Sequence, residues 1–497
     1  MVAFFESPEG VVFLERLTLA AHFCLTLVGN SGIRLVSAFL DHAGLSGFIG
    51  CSYGAQQQVG SELLDLVTAY GKQEQARLAA NMPHKVITVC LDETFPAQGQ
   101  CLVGMEPVSG YLLMEEYQEK RDAATWNEAM KRATAGMKLK VEQVTSDQAK
   151  ALLRHAKDHD AHHSPDLFHV EQEITRALGL PMSRPVRRAH ETLTTSTATL
   201  EQHIADQVAY EQGPRRPGRP PSFHKRIQAA SEVVAHDQRA LDTAREQRAR
   251  YTAAVHGISD QYHPYGLDTG APRTADTLSD ELHALFTGLY DLASETGASK
   301  KAVAKLNKAQ RVAPKMVETL AFHHQQVEAR VNALQIPQEQ RELLTNVWIP
   351  AAHLMCAAPK ARTSERTEDL REVAMTLMAT HKAQWEGLSV QERQKFDEIA
   401  HGCAEIFQRS SSCVEGRNGR LALAEHARRQ LPEKKLGALT VIHNYSTRRP
   451  DGSTAAERFF GAPPQDLFDW LLQRFSRVPR PAKRRKKAKK TTPVLCG

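Results

Sequence analysis

His84-Lys85-Val86-Ile87-Thr88-Val89-Cys90-Leu91-Asp92-Glu93-Thr94-Phe95 decides how the rest of the chain is read. The residues from Val86 to Leu91 are mostly β-branched or otherwise apolar, and they stand between Pro83 and Pro96. That pattern predicts a strand buried on both faces. The run then ends on two carboxylates, Asp92 and Glu93. A carboxylate at the end of a central strand is costly unless it is paired, hydrogen-bonded or bound to a cation. Asp92 alone could equally open a turn, so the decision rests on the acids further along the chain. Glu93 faces the opposite side if the strand persists and reads as structural.

Length and composition set the frame. A chain of 497 residues exceeds one ordinary core, and two or three domains are expected. No apolar run is seen to approach bilayer-spanning length, and Met1 to Phe5 lack the basic start of a signal peptide. The eight cysteines contain no C-x-x-C pair, which argues against a zinc ribbon or a disulfide framework. The expectation is a soluble, cytoplasmic protein without a membrane partner. The net charge of +6 is concentrated: nine Lys or Arg residues and no acid lie between Arg477 and Lys490. Residues 477–497 therefore read as a disordered basic tail offering Lys483, Arg484 and Arg485 to DNA. Composition alone does not separate that role from a nuclear localisation signal.

Residues 1–80 read as a helical region. Ser31 to Leu40 is amphipathic and stops at Gly44, and a second helix is expected from Ser52 to Tyr70. The two could form a helix-turn-helix that lays Gln56, Gln57 and Gln58 in a DNA groove, or simply a helical pair packed on the next domain. From Val86 the period changes. Strands are expected over Val86–Leu91, Gln100–Met105, Tyr111–Met114 and Lys138–Val144, with a short fifth over Pro165–Val170. Helices fall at Ala123–Thr134, at Gln148 to about Lys157, and at Glu171–Leu178. Residues 81–185 thus start with hairpins and continue with βαβ units. Residues 186–405 carry almost no strand signal and read as a large all-α insertion with long polar helices such as His224–His256. Pro214-Arg215-Arg216-Pro217-Gly218-Arg219-Pro220-Pro221 interrupts it as a basic loop, either a linker or a minor-groove contact. Ser389-Val390-Gln391-Glu392 is a capping box. Residues 406–476 form the last structured part, with helices expected up to Gln430, after Thr454 and over Asp466–Phe475.

With an Asp ending the first strand and another, Asp147, just after the fourth, residues 86–180 resemble the ribonuclease-H-like fold of DDE transposases and retroviral integrases. The stretch Ser411-Ser412-Cys413-Val414-Glu415-Gly416-Arg417-Asn418-Gly419 is similar to the Glu-bearing segment of bacterial insertion-sequence transposases. His443-Asn444-Tyr445 and the run from Arg448 through Asp451-Gly452 and Thr454-Ala455-Ala456-Glu457-Arg458-Phe459-Phe460-Gly461 resemble the downstream block of that family. Asp166-Leu167-Phe168-His169 matches the (Cys or Asp)-x-x-His signature of the hAT and Mutator-like groups, which also place a helical insertion before the catalytic Glu.

The resemblance implies an α/β ribonuclease-H-like mixed sheet with flanking helices, interrupted by the insertion. It implies metal-dependent DNA cleavage at element ends and strand transfer into target DNA by a homo-oligomer. Asp92, Asp147 and Glu415 would hold two Mg²⁺ or Mn²⁺ ions, the arrangement that activates an oxygen nucleophile and relieves charge on the leaving oxygen. His169 and Asn418 would support them, and Arg417, Arg448 and Arg458 would contact phosphates. Other readings stay open for single residues: Asp147 is also a good helix N-cap, and Glu405 or Glu425 could replace Glu415. His155, His159, His162, His163 and His169 invite a zinc reading, but His159 to His163 sit in a polar loop with no cysteine nearby, and solvated histidines are favoured there.

Overall fold

Lys85–Thr94 forms the first strand, β1, of the structure, a computed structural model that describes residues 2–95, 99–214, 217–428, 431–476 and 478–481. Five consecutive positions, Ile87 to Leu91, are buried, as a strand covered on both faces requires. Gln100–Glu106 (β2), Tyr111–Gln118 (β3), Leu139–Ser146 (β4) and His162–Pro165 (β5) complete a mixed five-stranded sheet of order β3-β2-β1-β4-β5. The first three strands form an antiparallel meander in which Asp92 stands opposite Val103. Gly110, at φ +76°, makes the turn into β3, a conformation that favours glycine. The Ala123–Ala133 helix then carries the chain across to β4.

The chain divides into two compact units. The first contains residues 1–144, 149–161 and 412–497, and its strands separate their side chains by parity. Ile87, Val89 and Leu91 point into a core with Leu102, Tyr111, Trp126, Val144 and Phe459. Cys90 points to the opposite face, with Cys101, Val103, Met105 and Leu112, and there meets Val414 and Leu421. Helices Pro8–Ala21, Ile33–His42 and Tyr53–Asn81 occupy the N-terminal region. Ser52 caps the third of these, which runs past the expected end at Tyr70 because Val67, Tyr70, Leu78 and Ala79 stay buried. Gln56 is fully buried, bonded to the His22 ring and the Gly50 carbonyl at 2.8 Å each, so it does not present itself to a groove as expected. Pro8–Val28 is long and apolar enough to cross a membrane by length and composition, which corrects the expectation of no such run. Its Leu14, Leu19 and Leu27 are buried within the first unit.

The second unit, residues 145–148 and 162–411, is almost entirely helical. Two long helices, Leu180–Gln212 and Phe223–Gln261, pack along each other on either side of the proline-rich loop. Phe286, Leu289, Leu306, Met316 and Leu320 build its main core. The capping box at Ser389 forms with Glu392, each side chain reaching the other's backbone amide. The expected strand over Pro165–Val170 is replaced by β5 and a helix, Leu167–Ile174. The reason is Asp166, whose carboxylate accepts the Phe168 N–H at 2.9 Å and caps the helix. Ala149, and not Asp147, stands at the N-cap of the Lys150–Asp158 helix. Pro96, Arg215, Arg216, Lys483, Arg484 and Arg485 lie outside the described residues.

Candidate functional site

The parity of β1 sends Asp92 to the same face as Cys90. The Ser412–Arg428 helix lies on that face. Val414, Arg417, Leu421 and Ala424 are its buried positions, a spacing of three and four residues that makes one helix face. Glu415 and Asn418 sit one turn apart beside that face and come up to the end of β1. A Glu415 carboxylate oxygen lies within 4.8 Å of one from Asp92. The Asn418 Nδ2 donates to Asp92 Oδ2 at 2.9 Å.

The helix is held in that rotation by a buried ion pair. Arg417 Nε and Nη2 donate to the two Glu115 carboxylate oxygens at 2.7 and 2.6 Å, a bidentate contact. The side chains are 7% and 0% exposed, so the Arg417 guanidinium is occupied by β3 and not presented to a phosphate. Thr440 Oγ1 adds a third donor to Glu115 at 2.6 Å.

Two carboxylates this close repel unless a proton or cation lies between them. Asp92 and Glu415 both offer oxygens, the donors that hard cations prefer. Asn418 Oδ1, on the same amide that donates to Asp92, is buried and has no hydrogen-bond partner among the described residues. Leaving a buried acceptor unsatisfied is unfavourable, and a hard cation would use it. The residues present therefore fit a divalent ion. Glu425, the alternative acid on this helix, lies beside Tyr117, and Glu405 belongs to the second unit.

Asp147 and His169 are in the second unit. Asp147 follows β4 and sits beside His163. His169 is in the first turn of the Leu167–Ile174 helix, not on a strand, and its Nδ1 is 2.8 Å from Asp166 Oδ2. Asp166 also accepts from the Ser411 hydroxyl at 2.5 Å and the Ser411 amide at 3.2 Å. Burial pushes the Asp166 carboxyl up, but the bonds from His169 and Ser411 outweigh it and leave it below the ordinary carboxylate range. The Asp-x-x-His stretch thus serves as helix cap and as anchor for the segment that ends at Ser411.

The other motif residues fasten the first unit. His443, Asn444 and Tyr445 end the Glu433–Tyr445 helix, and each bonds to the start of β3. His443 Nε2 meets the Gly110 carbonyl at 2.9 Å, and the Tyr445 hydroxyl meets that of Tyr111 at 2.9 Å. Asn444 takes both the amide and the carbonyl of Leu112, each at 2.9 Å, as a neighbouring strand would. Arg458 donates to the Ser109 carbonyl and to Ser453, and Arg448 to the Gly452 carbonyl at 2.7 Å. The loop histidines are engaged too. His163 bonds Ser146, and His162 bonds Thr319 and stacks on Phe322, which corrects the expectation of solvated rings for these two; His155, in the Lys150–Asp158 helix, bonds Asn127. Sequence reading missed Glu115 and Ser411. Glu115 had a signal, an acid directly after the apolar run Tyr111–Met114.

Residues 344–487 match the model of a family described as a family of unknown function (DUF6399). That part of the chain includes Glu415, Arg417 and Asn418 but neither Asp92 nor Asp147. No curated protein matches the chain.

Proposed function

We propose that this chain is a DDE-type transposase that cleaves DNA at element ends with divalent metal ions and joins the freed 3′-hydroxyl to target DNA. The observation that carries this reading is the approach of Asp92 and Glu415, with Asn418 bonded to Asp92 across 326 sequence positions. Nothing in the covalent chain demands that return, whereas a shared cation explains it. The sheet supports the reading as well. A three-stranded antiparallel start, a crossover to β4 on the far side of β1, and an acid at the end of β1 are what a ribonuclease-H-like domain provides.

Asp92 and Glu415 would supply charged oxygens to a Mg²⁺ or Mn²⁺ ion; Asp147 lies in the second unit, and its part as a third acid rests on the resemblance alone. Such an ion, when bound, polarises a phosphodiester and lowers the pKa of water at the site. Asn418 orients the Asp92 carboxylate by its hydrogen bond and is a positioning residue. Arg417 and Glu115 keep the Glu415-bearing helix from rotating away, and the His443–Tyr445 contacts fix β3 behind it.

The test is a strand-transfer assay with DNA carrying the termini that flank this reading frame. The full-length protein in Mg²⁺ should release ends with a free 3′-hydroxyl and join them to a second DNA. Cleavage without joining would leave a nuclease in place of a transposase, and no reaction on these ends would remove the reading.

A further inference from the structure

The second unit has a half-open cavity of about 270 Å³ at the end of the Phe223–Gln261 helix, bordered by the turn after Ala357 and the start of the Ser364–Thr380 helix. Lys360, Arg362, Arg366 and Arg409 line it together with Asp260, and Arg366 is itself paired with Asp268 at 2.7 Å, an exposed contact that a phosphate would have to displace or share. Thr363 caps the Ser364–Thr380 helix by accepting the Arg366 N–H at 3.1 Å, so the positive end of a 17-residue helix also faces this space. Glu365 in the first turn offsets part of that field.

Arg409 is the informative group. Its Nη1 donates to the carbonyls of Ser259 and Tyr262, and it forms no ion pair among the described residues. The nearest acids, Glu171 and Asp260, are taken by Arg362 at 3.5 and 3.6 Å. Burial pulls the Arg409 pKa down to about 10, against the opposing pull of Glu171 and Asp260. Arg409 is half-buried, and its side-chain hydrogen bonds among the described residues all come from Nη1, which leaves Nε and Nη2 to the solvent side of the cavity. His263, 4% exposed and kept neutral by burial, is a second polar group on the wall. Its Nδ1 lies 2.9 Å from His353 Nε2. If His353 donates in that contact, the His263 Nε2–H is left as a donor on the cavity side.

We propose that this cavity binds a phosphate group, held from inside by Arg409 and His263 and at the rim by Lys360 and Arg366. A tetrahedral oxyanion would satisfy the planar fork of Arg409 and the helix end together. A space of this size takes a phosphate with a small substituent and not a duplex. The phosphate therefore belongs to a free phosphorylated compound or to the terminus of a DNA strand. The proposal is independent of the metal site.

Binding is measured on the full-length protein in EDTA at constant ionic strength, by calorimetry and thermal unfolding. The probes are inorganic phosphate, adenosine monophosphate, and a single-stranded hexanucleotide with and without a 5′-phosphate. Phosphate should raise the unfolding temperature saturably where chloride does not. Lys360→Gln combined with Arg366→Gln changes rim residues and spares Arg409, and it should weaken phosphate binding at least about tenfold. Preference for the 5′-phosphorylated strand over the mononucleotide would assign the strand end as the source, and the reverse preference a free compound. Absence of a saturable phosphate effect in the wild type, or equal affinity in the folded rim variant, overturns the proposal.

Discussion

Arg417 and Glu115 form a buried bidentate ion pair that joins the middle of the Ser412–Arg428 helix to β3, with donor–acceptor distances of 2.7 and 2.6 Å. Because Arg417 stands two residues after Glu415 and one before Asn418, fixing its rotation also fixes which way those two side chains face. The carboxylate pair at the end of β1 depends on a contact that itself touches no substrate.

Arg417→Met should therefore destabilise the protein by about 3–5 kcal/mol, since it leaves the Glu115 charge buried without its partner. Combining it with Glu115→Leu should recover most of that loss, as apolar replacement of a buried pair is often neutral. Urea unfolding of the three variants checks this. A single variant within about 1 kcal/mol of wild type would show that the pair is not under structural tension.

Asn444→Ala removes the groups that pair with the amide and carbonyl of Leu112 on the edge strand β3. Each buried backbone group left unsatisfied costs about 1–3 kcal/mol. The expected result is a fall in stability of that order and faster hydrogen exchange at the Leu112 amide. Unchanged exchange there would mean that water or another side chain takes over the contact.

Acid should loosen both units. Burial pulls His155, His162, His163 and His443 from 6.5 to about 4, and His353 to about 3. These rings stay neutral in the folded state, while in the unfolded chain they take up protons below 6.5. The unfolded state thus binds more protons between the two values. Stability is full above about pH 6.5 and declines as the pH falls toward about 4. Thermal unfolding monitored from about pH 7 to about pH 4.5 should show a steady drop in midpoint. A flat profile would contradict the burial of these histidines.

The strands were legible where alternation and flanking prolines agreed. β1 extends three residues past Leu91 because Asp92, Glu93 and Thr94 keep pairing with β2. Local caps such as Ser389 and Thr454 were legible because both partners lie within one turn. Pro165–Val170 was misread because so short a run fits either period, and the Asp166 cap decided for a helix. The sequence left Gln56 open between a groove-reading face and a packed helical pair, because its partner His22 lies on a preceding segment. For the same reason Arg417 looked like a phosphate contact. Its acid, Glu115, is distant in the chain, and pairings of that range leave no spacing signature.

Cleavage of end-labelled DNA by the wild type, Asp92→Asn and Glu415→Gln, all confirmed folded by circular dichroism, tests the metal site most directly. The wild type should nick DNA only with Mg²⁺ or Mn²⁺ and stop on chelation, and each variant should lose on the order of a hundredfold in rate. Cleavage that persists without divalent ions, or that survives undiminished in either variant, would contradict the assignment of Asp92 and Glu415 as metal-holding carboxylates.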